Sequence, residues 1–433
     1  MTSAHMVFDE VSTKVAQRLE GMRSSAVRDL FAAASRSDII SLSGGMPDVS
    51  LLPAEVLEQA SYAALHQLRS QALQYSDTAG LASVRSCLST LMRDVGIRAQ
   101  ASEILITQGA QEALDLLAKT FINPGDIIIT EGPTYLGALQ AFSAYQPYII
   151  CIPFDEDGMR MDLLEAELKK LGKGAVKFLY TIPNFQNPGG VTLSSERRDA
   201  LLSLSETYDF LIVEDDPYGR LRYQKGHIKP LRARSNKVLY LGTVSKVFAP
   251  GLRLGWLIAP EYVIKKVNLM KQGTDLCGSA LTQLIVEHYF TQTSWEKTLQ
   301  TFIKTYAERR DAMIAALEEY FPQEACWTNP EGGFFVWVEL PSYVDLSSML
   351  ARALDSGVIY TPGDGFYPDG VRGKNCMRLA FCYESPENIR EAIRRLAEVL
   401  DERLELYRAF MSAGALGASE GALETAPSAL TSF

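Results

Sequence analysis

The 433-residue sequence holds few of the residues that build metal sites or disulfide frameworks. Its six cysteines and four histidines are scattered along the chain, with no Cys-x-x-Cys pair and no spacing typical of metal ligands. Unpaired cysteines are typical of proteins that stay in a reducing compartment. We therefore predict free thiols, no bound metal and a cytoplasmic location.

A positively charged surface and a long apolar run are also missing. The formal net charge is −10, which disfavours a surface that binds nucleic acid. Asp9 and Glu10 interrupt the N-terminal stretch where a signal peptide needs continuous apolar residues. The stretch nearest in character to a membrane span, residues 135–154, contains two glutamines and two prolines. The sequence thus predicts no nucleic-acid partner and no membrane partner.

Between about residues 103 and 260, short apolar runs alternate with helical patterns. Runs that are apolar on both faces and are separated by helices predict a mostly parallel sheet that is covered on both sides. The runs are EILIT (103–107), DIIIT (126–130), YIICIPF (148–154), VKFLYT (176–181), FLIVE (210–214), VLYLGT (238–243) and GWLIAP (255–260). The predicted fold class is α/β.

The last third of the chain has a different pattern. A long helical segment, Leu281 to Glu319, is followed by apolar runs at 332–340, 357–363 and 376–383. This order predicts a smaller α+β domain with antiparallel strands. The end of the chain is rich in Ala, Gly, Ser and Thr and is predicted to be disordered.

These patterns predict a large domain with a mostly parallel central sheet, and a smaller domain formed from the N- and C-terminal parts. The predicted parts are an N-terminal arm with part of the small domain (1–50), the large domain (51–300), the small C-terminal domain (301–411) and a disordered tail (412–433).

Ligands of parallel sheets bind beyond the carboxyl ends of the strands, and three of these ends carry polar or aromatic groups. Gly109, Ala110 and Gln111 begin a helix, where free amides and the helix dipole favour an anion. Tyr135 could stack on a flat aromatic ligand. Asn187, held extended by the proline after it, could donate from its amide. Taken alone, each feature also has a plain interpretation: an ordinary turn at Gly109 and at Asn187, and a half-buried loop residue at Tyr135.

Two acidic residues follow the run FLIVE. Asp216 is predicted to cap a helix whose first residue is Pro217. Asp215 lies one step nearer the sheet, where a carboxylate is costly unless a cation pairs with it. A surface turn that exposes both aspartates is the alternative interpretation.

The fifth strand end delivers a lysine into a turn that contains hydroxyl groups. Lys246 follows Thr243 and Ser245, and Arg253 comes next among the charged residues. A lysine at a strand end normally reaches water. Two cations with no acidic residue between them nevertheless disfavour an ordinary solvated face.

One ligand would satisfy all five strand ends, namely a phosphorylated, flat, nitrogen-containing aromatic aldehyde. Pyridoxal 5′-phosphate has this chemistry, and it needs a lysine that forms a Schiff base and an acid beside its ring nitrogen.

From about Ser25 to Leu400 the sequence resembles a fold type I, pyridoxal-phosphate-dependent aminotransferase. It is most similar to the branch that contains the 2-aminoadipate and kynurenine aminotransferases. The order of the motifs makes the resemblance specific: SLSGGMP (41–47), QYSDTAGL (74–81), TQGAQEAL, EGPTYLGAL, NFQNPGG, IVEDDPYG, GTVSKVFAPGLRLGW and MRLAFCY.

The resemblance implies roles for the cofactor-binding residues. Lys246 matches the Schiff-base lysine, and Asp215 matches the carboxylate that pairs with the pyridine nitrogen. Tyr218 and Asn187 match the donors to the ring hydroxyl oxygen, and Tyr135 matches the stacking ring. Lys246, Asp215 and Tyr218 form the implied catalytic set. The implied phosphate-binding residues are Gly109, Ala110, Gln111, Thr243, Ser245 and Arg253.

The resemblance also implies substrate contacts and a homodimer with shared active sites. Arg378 matches the arginine that binds the substrate α-carboxylate, since its planar fork suits a bidentate pair. Asn187 and Gly45 lie on the substrate side, and Tyr75 matches a residue contributed across the dimer interface. Arg28 matches a position that meets a distal carboxylate in some relatives, although a solvated helix residue is nearly as consistent with the sequence.

The implied reaction is transamination between an L-α-amino acid and a 2-oxo acid such as 2-oxoglutarate, by ping-pong kinetics through Lys246. The implied amino acid is dicarboxylic or large and aromatic. A lyase or an oxidase with the same cofactor is an alternative, and a non-catalytic effector-binding domain is a further one. A Rossmann dehydrogenase is disfavoured because the Gly-x-Gly-x-x-Gly fingerprint is absent.

Overall fold

The structure is a computed structural model and describes residues 14–19, 22, 36, 38–224, 226 and 228–412. The predictions for Arg28 and for the tail beyond residue 412 lie outside the described residues. Within this part of the chain, no helix is long and apolar enough to cross a membrane.

The strands and helices are numbered in chain order. The strands are β1 (Ile40–Ser41), β2 (Ile104–Thr107), β3 (Ile127–Gly132), β4 (Tyr148–Asp155), β5 (Gly158–Met159), β6 (Val176–Thr181), β7 (Leu211–Asp215), β8 (Val238–Thr243), β9 (Gly255–Ile258), β10 (Cys326–Trp327), β11 (Phe335–Glu339), β12 (Val358–Ile359), β13 (Thr361–Pro362) and β14 (Cys376–Ala380). The α-helices are α1 (Ala54–His66), α2 (Arg69–Ala72), α3 (Ala82–Arg93), α4 (Ala110–Phe121), α5 (Leu136–Ser143), α6 (Met161–Leu171), α7 (Ser195–Tyr208), α8 (Glu261–Gln272), α9 (Ala280–Gln292), α10 (Trp295–Tyr320), α11 (Leu346–Asp355) and α12 (Pro386–Ser412).

The larger sheet has the strand order β2-β9-β8-β7-β6-β3-β4-β5. Strands β8, β7, β6, β3 and β4 pair in parallel, whereas β9 runs antiparallel to both β2 and β8, and β5 runs antiparallel to β4. The predicted mostly parallel sheet is therefore confirmed. Because β2 has the same direction as β8, the carboxyl ends of β2, β3, β6, β7 and β8 meet at one edge of the sheet.

The sequence forms this sheet because its strands can be buried on both faces. Every residue of β2, β8 and β9 is buried. Helix α4 buries Ala113, Leu114 and Leu117, which lie on one face of the helix as their spacing predicts. Each such leucine, once removed from water, contributes about 1.5–3 kcal/mol. This packing fixes the sheet edge at which the strand carboxyl ends meet.

A smaller antiparallel sheet, in the order β10-β11-β14-β13, forms in the last third of the chain. Strand β1, near the N-terminus, pairs in parallel with β12, and Leu42 packs in the same apolar core as residues of α10 and α12. The N-terminal and C-terminal parts therefore share one core. The domain boundaries stay predictions. The boundary at 300/301 falls inside α10, where Phe302 packs in the larger core and Met313 in the smaller one.

Two local predictions differ from the structure. The segment 281–319 is two helices, because Thr293 is extended and its hydroxyl donates to the Tyr289 carbonyl 2.7 Å away, which ends α9. No helix begins at Pro217, where the chain forms a bend and a turn, so the capping prediction is wrong. The Asp216 carboxylate instead accepts hydrogen bonds from Asn184 Nδ2 at 2.9 Å and from the Tyr240 hydroxyl at 3.0 Å.

Candidate active site

A cavity of about 400 Å³ opens at the edge where the strand carboxyl ends meet. Its lining includes most of the residues that the sequence analysis singled out: Gly45, Ala110, Gln111, Tyr135, Asn187, Asp215, Tyr218, Thr243, Ser245, Lys246, Arg253 and Arg378. The larger sheet thus supplies residues from the ends of five strands, and the smaller sheet supplies Arg378 from β14.

Lys246 lies in the turn that follows β8 and points into this cavity. Its Nζ atom donates to the Gly45 carbonyl oxygen at 2.8 Å. Burial lowers the pKa of the Lys246 amine to about 8; Cys382 opposes this shift, and the charges of Arg378 and Arg253 add to it. An amine with this pKa is partly neutral near pH 7, which a nucleophile or a general base requires.

Asp215, the last residue of β7, presents one paired and one unpaired oxygen. Its Oδ2 atom accepts a hydrogen bond from the Tyr180 hydroxyl at 2.9 Å. Its Oδ1 atom is buried and has no partner in the described part of the chain. Burial raises the pKa of the carboxyl group to about 7, against the lowering effect of the Tyr180 hydrogen bond. A buried oxygen of this kind fits a cationic N–H donor.

The start of α4 and the guanidinium of Arg253 form a cradle for an anion. Gly109 precedes α4 with φ of 77°, in the region that favours glycine. A Cβ atom at Gly109 would lie 2.6 Å from Arg253 Nη2, so the backbone and the guanidinium approach as closely as glycine allows. Thr243 and Ser245 place their hydroxyls 3.0 Å from each other on the same wall. Helix amides, two hydroxyls and a guanidinium together suit a phosphate group.

We expect Gly109→Ala to weaken cofactor binding, and this loss should be larger than the loss of folding stability alone would cause. Alanine in the backbone conformation of Gly109 costs about 1–3 kcal/mol, and here its methyl group would also displace the Arg253 guanidinium. Gly125→Ala is the matched control, because Gly125 has φ of 84° and no atom lies within 4 Å of the place that an alanine methyl group would take. Both variants should lose similar stability in thermal unfolding. Equal cofactor dissociation constants for the two variants would contradict the assigned cradle.

Two tyrosines, Tyr135 and Tyr218, line the walls of the cavity. The Tyr135 hydroxyl donates to Gln111 Oε1 at 3.3 Å, which holds the tyrosine beside the anion cradle. Tyr218 is buried, and its ring packs edge-on against Phe334 and Phe335. Burial raises the pKa of the Tyr218 phenol, so that its hydroxyl stays a donor.

Arg378 lies on β14 with its guanidinium buried between two aromatic rings. Its Cζ atom is 4.1 Å from the ring centroid of Phe335 and 5.1 Å from that of Phe366. Its donors reach the Ser43 carbonyl at 2.6 Å and Asn187 Oδ1 at 3.0 Å, and its Nε atom has no partner in the described part of the chain. Burial lowers its pKa to about 10. The described hydrogen-bond partners of this cation are all neutral, so an anionic ligand would complete the site.

The other predicted substrate residues are placed differently. Gly45 lines the cavity, and a Cβ atom there would lie 2.5 Å from Phe335 Cζ, so this close approach requires glycine. Tyr75 is 79% exposed and does not line the cavity of its own chain. Arg28 lies outside the described residues.

Several residues of the site are not predicted by the sequence patterns. Phe335 and Tyr180 fall in mostly apolar runs, and such runs predict only ordinary strand residues. Phe335, Met46 and Gln140 line the cavity, whereas Tyr180 lies behind Asp215. One signal is available for Tyr180, since a phenol buried in the strand beside Asp215 needs a hydrogen-bond partner.

Three features of the site fit pyridoxal phosphate. The unpaired oxygen of Asp215 fits its ring nitrogen, the cradle beside Gly109 fits its phosphate, and the partly neutral amine of Lys246 fits its aldehyde. The sheet and this site define the class of fold type I pyridoxal-phosphate enzymes. The chain belongs to the family of aminotransferases of class I and II, which matches residues 37–396. It is a transaminase, and its cofactor is pyridoxal phosphate.

Individual relatives extend over almost the whole chain. Aromatic-amino-acid aminotransferase 1 of Thermococcus litoralis is 45% identical over 89% of this chain and 93% of its own length. The kynurenine aminotransferase of Pyrococcus horikoshii, solved with PMP, KYN and KYA, is 44% identical with a TM-score of 0.87, over 92% of this chain and 99% of its own. The alpha-aminoadipate aminotransferase of Thermus thermophilus was solved with N-(5′-phosphopyridoxyl)-L-leucine. It is 34% identical to this chain with a TM-score of 0.83, and the match covers 91% of this chain and 99% of its own. The similarity to this branch of the family is therefore confirmed.

Proposed function

We propose that the protein transfers the amino group of a large aromatic or dicarboxylic L-α-amino acid to a 2-oxo acid such as 2-oxoglutarate, by ping-pong kinetics. The observation that carries this proposal is the position of Arg378. A buried guanidinium with neutral partners lines the same cavity as Lys246 and Asp215. A substrate α-carboxylate would supply the missing charge and match the planar fork.

We assign the catalytic roles to Lys246, Asp215 and Tyr218. When bound, pyridoxal phosphate supplies the electron sink for breaking a bond at the amino-acid Cα atom. Lys246 carries the covalent link to the cofactor and, once its amine is free and neutral, accepts the Cα proton at Nζ. Asp215 accepts a hydrogen bond from the ring nitrogen at Oδ1 and stabilises its positive charge. Tyr218 and Asn187 donate to the ring hydroxyl oxygen.

The remaining residues hold the two ends of the cofactor and position its ring. We assign the stacking contact to Tyr135. The phosphate contacts belong to Gly109, Ala110, Gln111, Thr243, Ser245 and Arg253.

The walls of the cavity favour a large side chain on the substrate. Met46, Leu136 and Phe335 are apolar, and Gln140 adds one polar group. The lining cations of the described chain are Lys246, Arg253 and Arg378, and each already has a role. A distal carboxylate on a dicarboxylic substrate would therefore need Arg28 or a residue of a second copy of the chain. The names of the relatives favour both substrate types.

We also propose a homodimer in which Tyr75 of each copy reaches the active site of the other. The exposure of Tyr75 and its absence from the cavity of its own chain are consistent with this arrangement.

A panel of amino donors with 2-oxoglutarate as acceptor tests the proposed reaction. We expect aromatic amino acids and 2-aminoadipate to give the highest kcat/KM values, with one 2-oxo acid and one glutamate formed for each donor consumed. Double-reciprocal plots at several acceptor concentrations should be parallel, as a ping-pong sequence requires. Intersecting lines would contradict the ping-pong sequence, and release of ammonia or peroxide without amino transfer would favour the lyase or oxidase alternative.

A further inference from the structure

Tyr180 is a buried tyrosine that contacts Asp215 from the neighbouring strand. It lies on β6, which pairs in parallel with β7, and its hydroxyl donates to Asp215 Oδ2 at 2.9 Å. Tyr180 is fully buried, and its ring packs edge-on against Phe142 with the ring centroids 5.4 Å apart. The phenol therefore has little freedom to leave this hydrogen bond.

The hydrogen bond makes the two oxygens of Asp215 unequal. Oδ2 is occupied by Tyr180, whereas Oδ1 is buried without a partner in the described part of the chain. A carboxylate held by one oxygen cannot rotate without losing that bond, so the same oxygen always remains available to a ligand. Because burial raises the pKa of the Tyr180 phenol well above its ordinary value, the phenol stays protonated and acts as a donor.

A donor to a buried carboxylate also favours its ionised form, which burial alone disfavours. Tyr180 thus acts on Asp215 in two ways, through orientation and through charge. Neither effect requires Tyr180 to touch the cofactor or the substrate, and Tyr180 does not line the cavity.

We propose that Tyr180 is a positioning residue that holds the Asp215 carboxylate by Oδ2 and presents Oδ1 to the ring nitrogen of pyridoxal phosphate. The inference rests on the proposed role of Asp215. Its consequence is that removing a hydroxyl outside the cavity weakens both cofactor binding and catalysis.

The next strand offers a matched control. Tyr240 lies on β8, is 3% exposed, and donates to Asp216 Oδ2 at 3.0 Å. Asp216 does not line the cavity. Tyr240→Phe therefore removes an equally buried hydroxyl from a neighbouring carboxylate without changing the contacts of Asp215.

The test compares Tyr180→Phe with Tyr240→Phe in the holoenzyme. A hydrogen bond to a charged group contributes about 1.5–3 kcal/mol, which corresponds to roughly 10–100-fold. We expect Tyr180→Phe to speed cofactor release and to lower kcat by about tenfold each, with a nearly unchanged KM for the amino acid. The visible absorption of the bound cofactor should also shift. Tyr240→Phe should match the unsubstituted protein in all of these measurements, and thermal unfolding should show similar stability for both variants. Equal cofactor release and equal kcat for the two variants would overturn the inference.

Asp215→Asn separates this inference from the proposed function. If Tyr180 acts through Asp215, Tyr180→Phe should add almost nothing in an Asp215→Asn background. Additive effects would overturn the inference, because Tyr180 would then act by another route. An Asp215→Asn variant that keeps cofactor affinity and kcat would instead overturn the proposed role of Asp215. If Asp215→Asn lost cofactor affinity and kcat while Tyr180→Phe kept both, the role of Asp215 would stand and only the inference about Tyr180 would be overturned.

Discussion

Replacing Lys246 with alanine is expected to lower kcat for amino transfer by at least about 10³-fold, because a positioned general base alone contributes about 10²–10⁴-fold. The variant also loses the covalent link to the cofactor. Lys246 is the one lysine in the described lining of the cavity, so no other amine there can replace it. Cofactor should still bind through the phosphate cradle, but it should dissociate faster and lack the absorption of the covalent form.

Lys237→Ala is the control for this variant. Lys237 directly precedes β8, at the other end of the strand that delivers Lys246, and pairs with Asp209 at 2.9 Å. Its removal should leave kcat and the absorption spectrum unchanged. A Lys246→Ala protein that retains more than about a tenth of kcat would show that another group accepts the proton.

Replacing Arg378 with leucine is expected to lower kcat/KM for amino acids by about 10²–10³-fold. Loss of one partner from a buried, hydrogen-bonded charge pair costs about 2–5 kcal/mol, and each 1.4 kcal/mol is tenfold. Arg378→Lys should give an intermediate value, because an ammonium keeps the charge but cannot form the bidentate pair. Steady-state kinetics with a fixed saturating acceptor measure the effect.

Two internal controls accompany the Arg378 variants. Cofactor content should stay nearly unchanged, since Arg378 reaches the assigned cofactor contacts only through its hydrogen bond to Asn187. The slow reaction with a primary amine that lacks a carboxylate should be the same with arginine or leucine at this position. If the variant kept its cofactor but lost activity equally towards this amine, Arg378 would not be the carboxylate-binding residue.

The larger sheet is well predicted by the sequence because its strands are buried on both faces. The runs VKFLYT and VLYLGT coincide with β6 and β8 residue for residue. Their apolar character on both faces has few explanations other than a covered parallel sheet. Because the strand ends of such a sheet meet at one edge, residues as distant as Ala110 and Lys246 could be expected to lie around one cavity.

Contacts between distant segments could not be predicted in the same way. Asp216 has the local pattern of a helix cap, but its oxygens are taken by Asn184 and Tyr240, which lie on other segments of the chain. Tyr180 has the pattern of a core residue, because nothing local shows that its hydroxyl meets Asp215. Local sequence patterns fix strands and helices, whereas hydrogen-bond partners depend on the packing of the whole chain.

Pyridoxal phosphate is expected to be bonded to the amine of Lys246, and peptide mapping tests this claim. The holoenzyme is treated with borohydride to fix the covalent link, digested and analysed by mass spectrometry. We predict one phosphopyridoxyl group, on the peptide that contains Lys246. A fully active protein whose modification maps to another lysine, or that carries no modification, would contradict this claim.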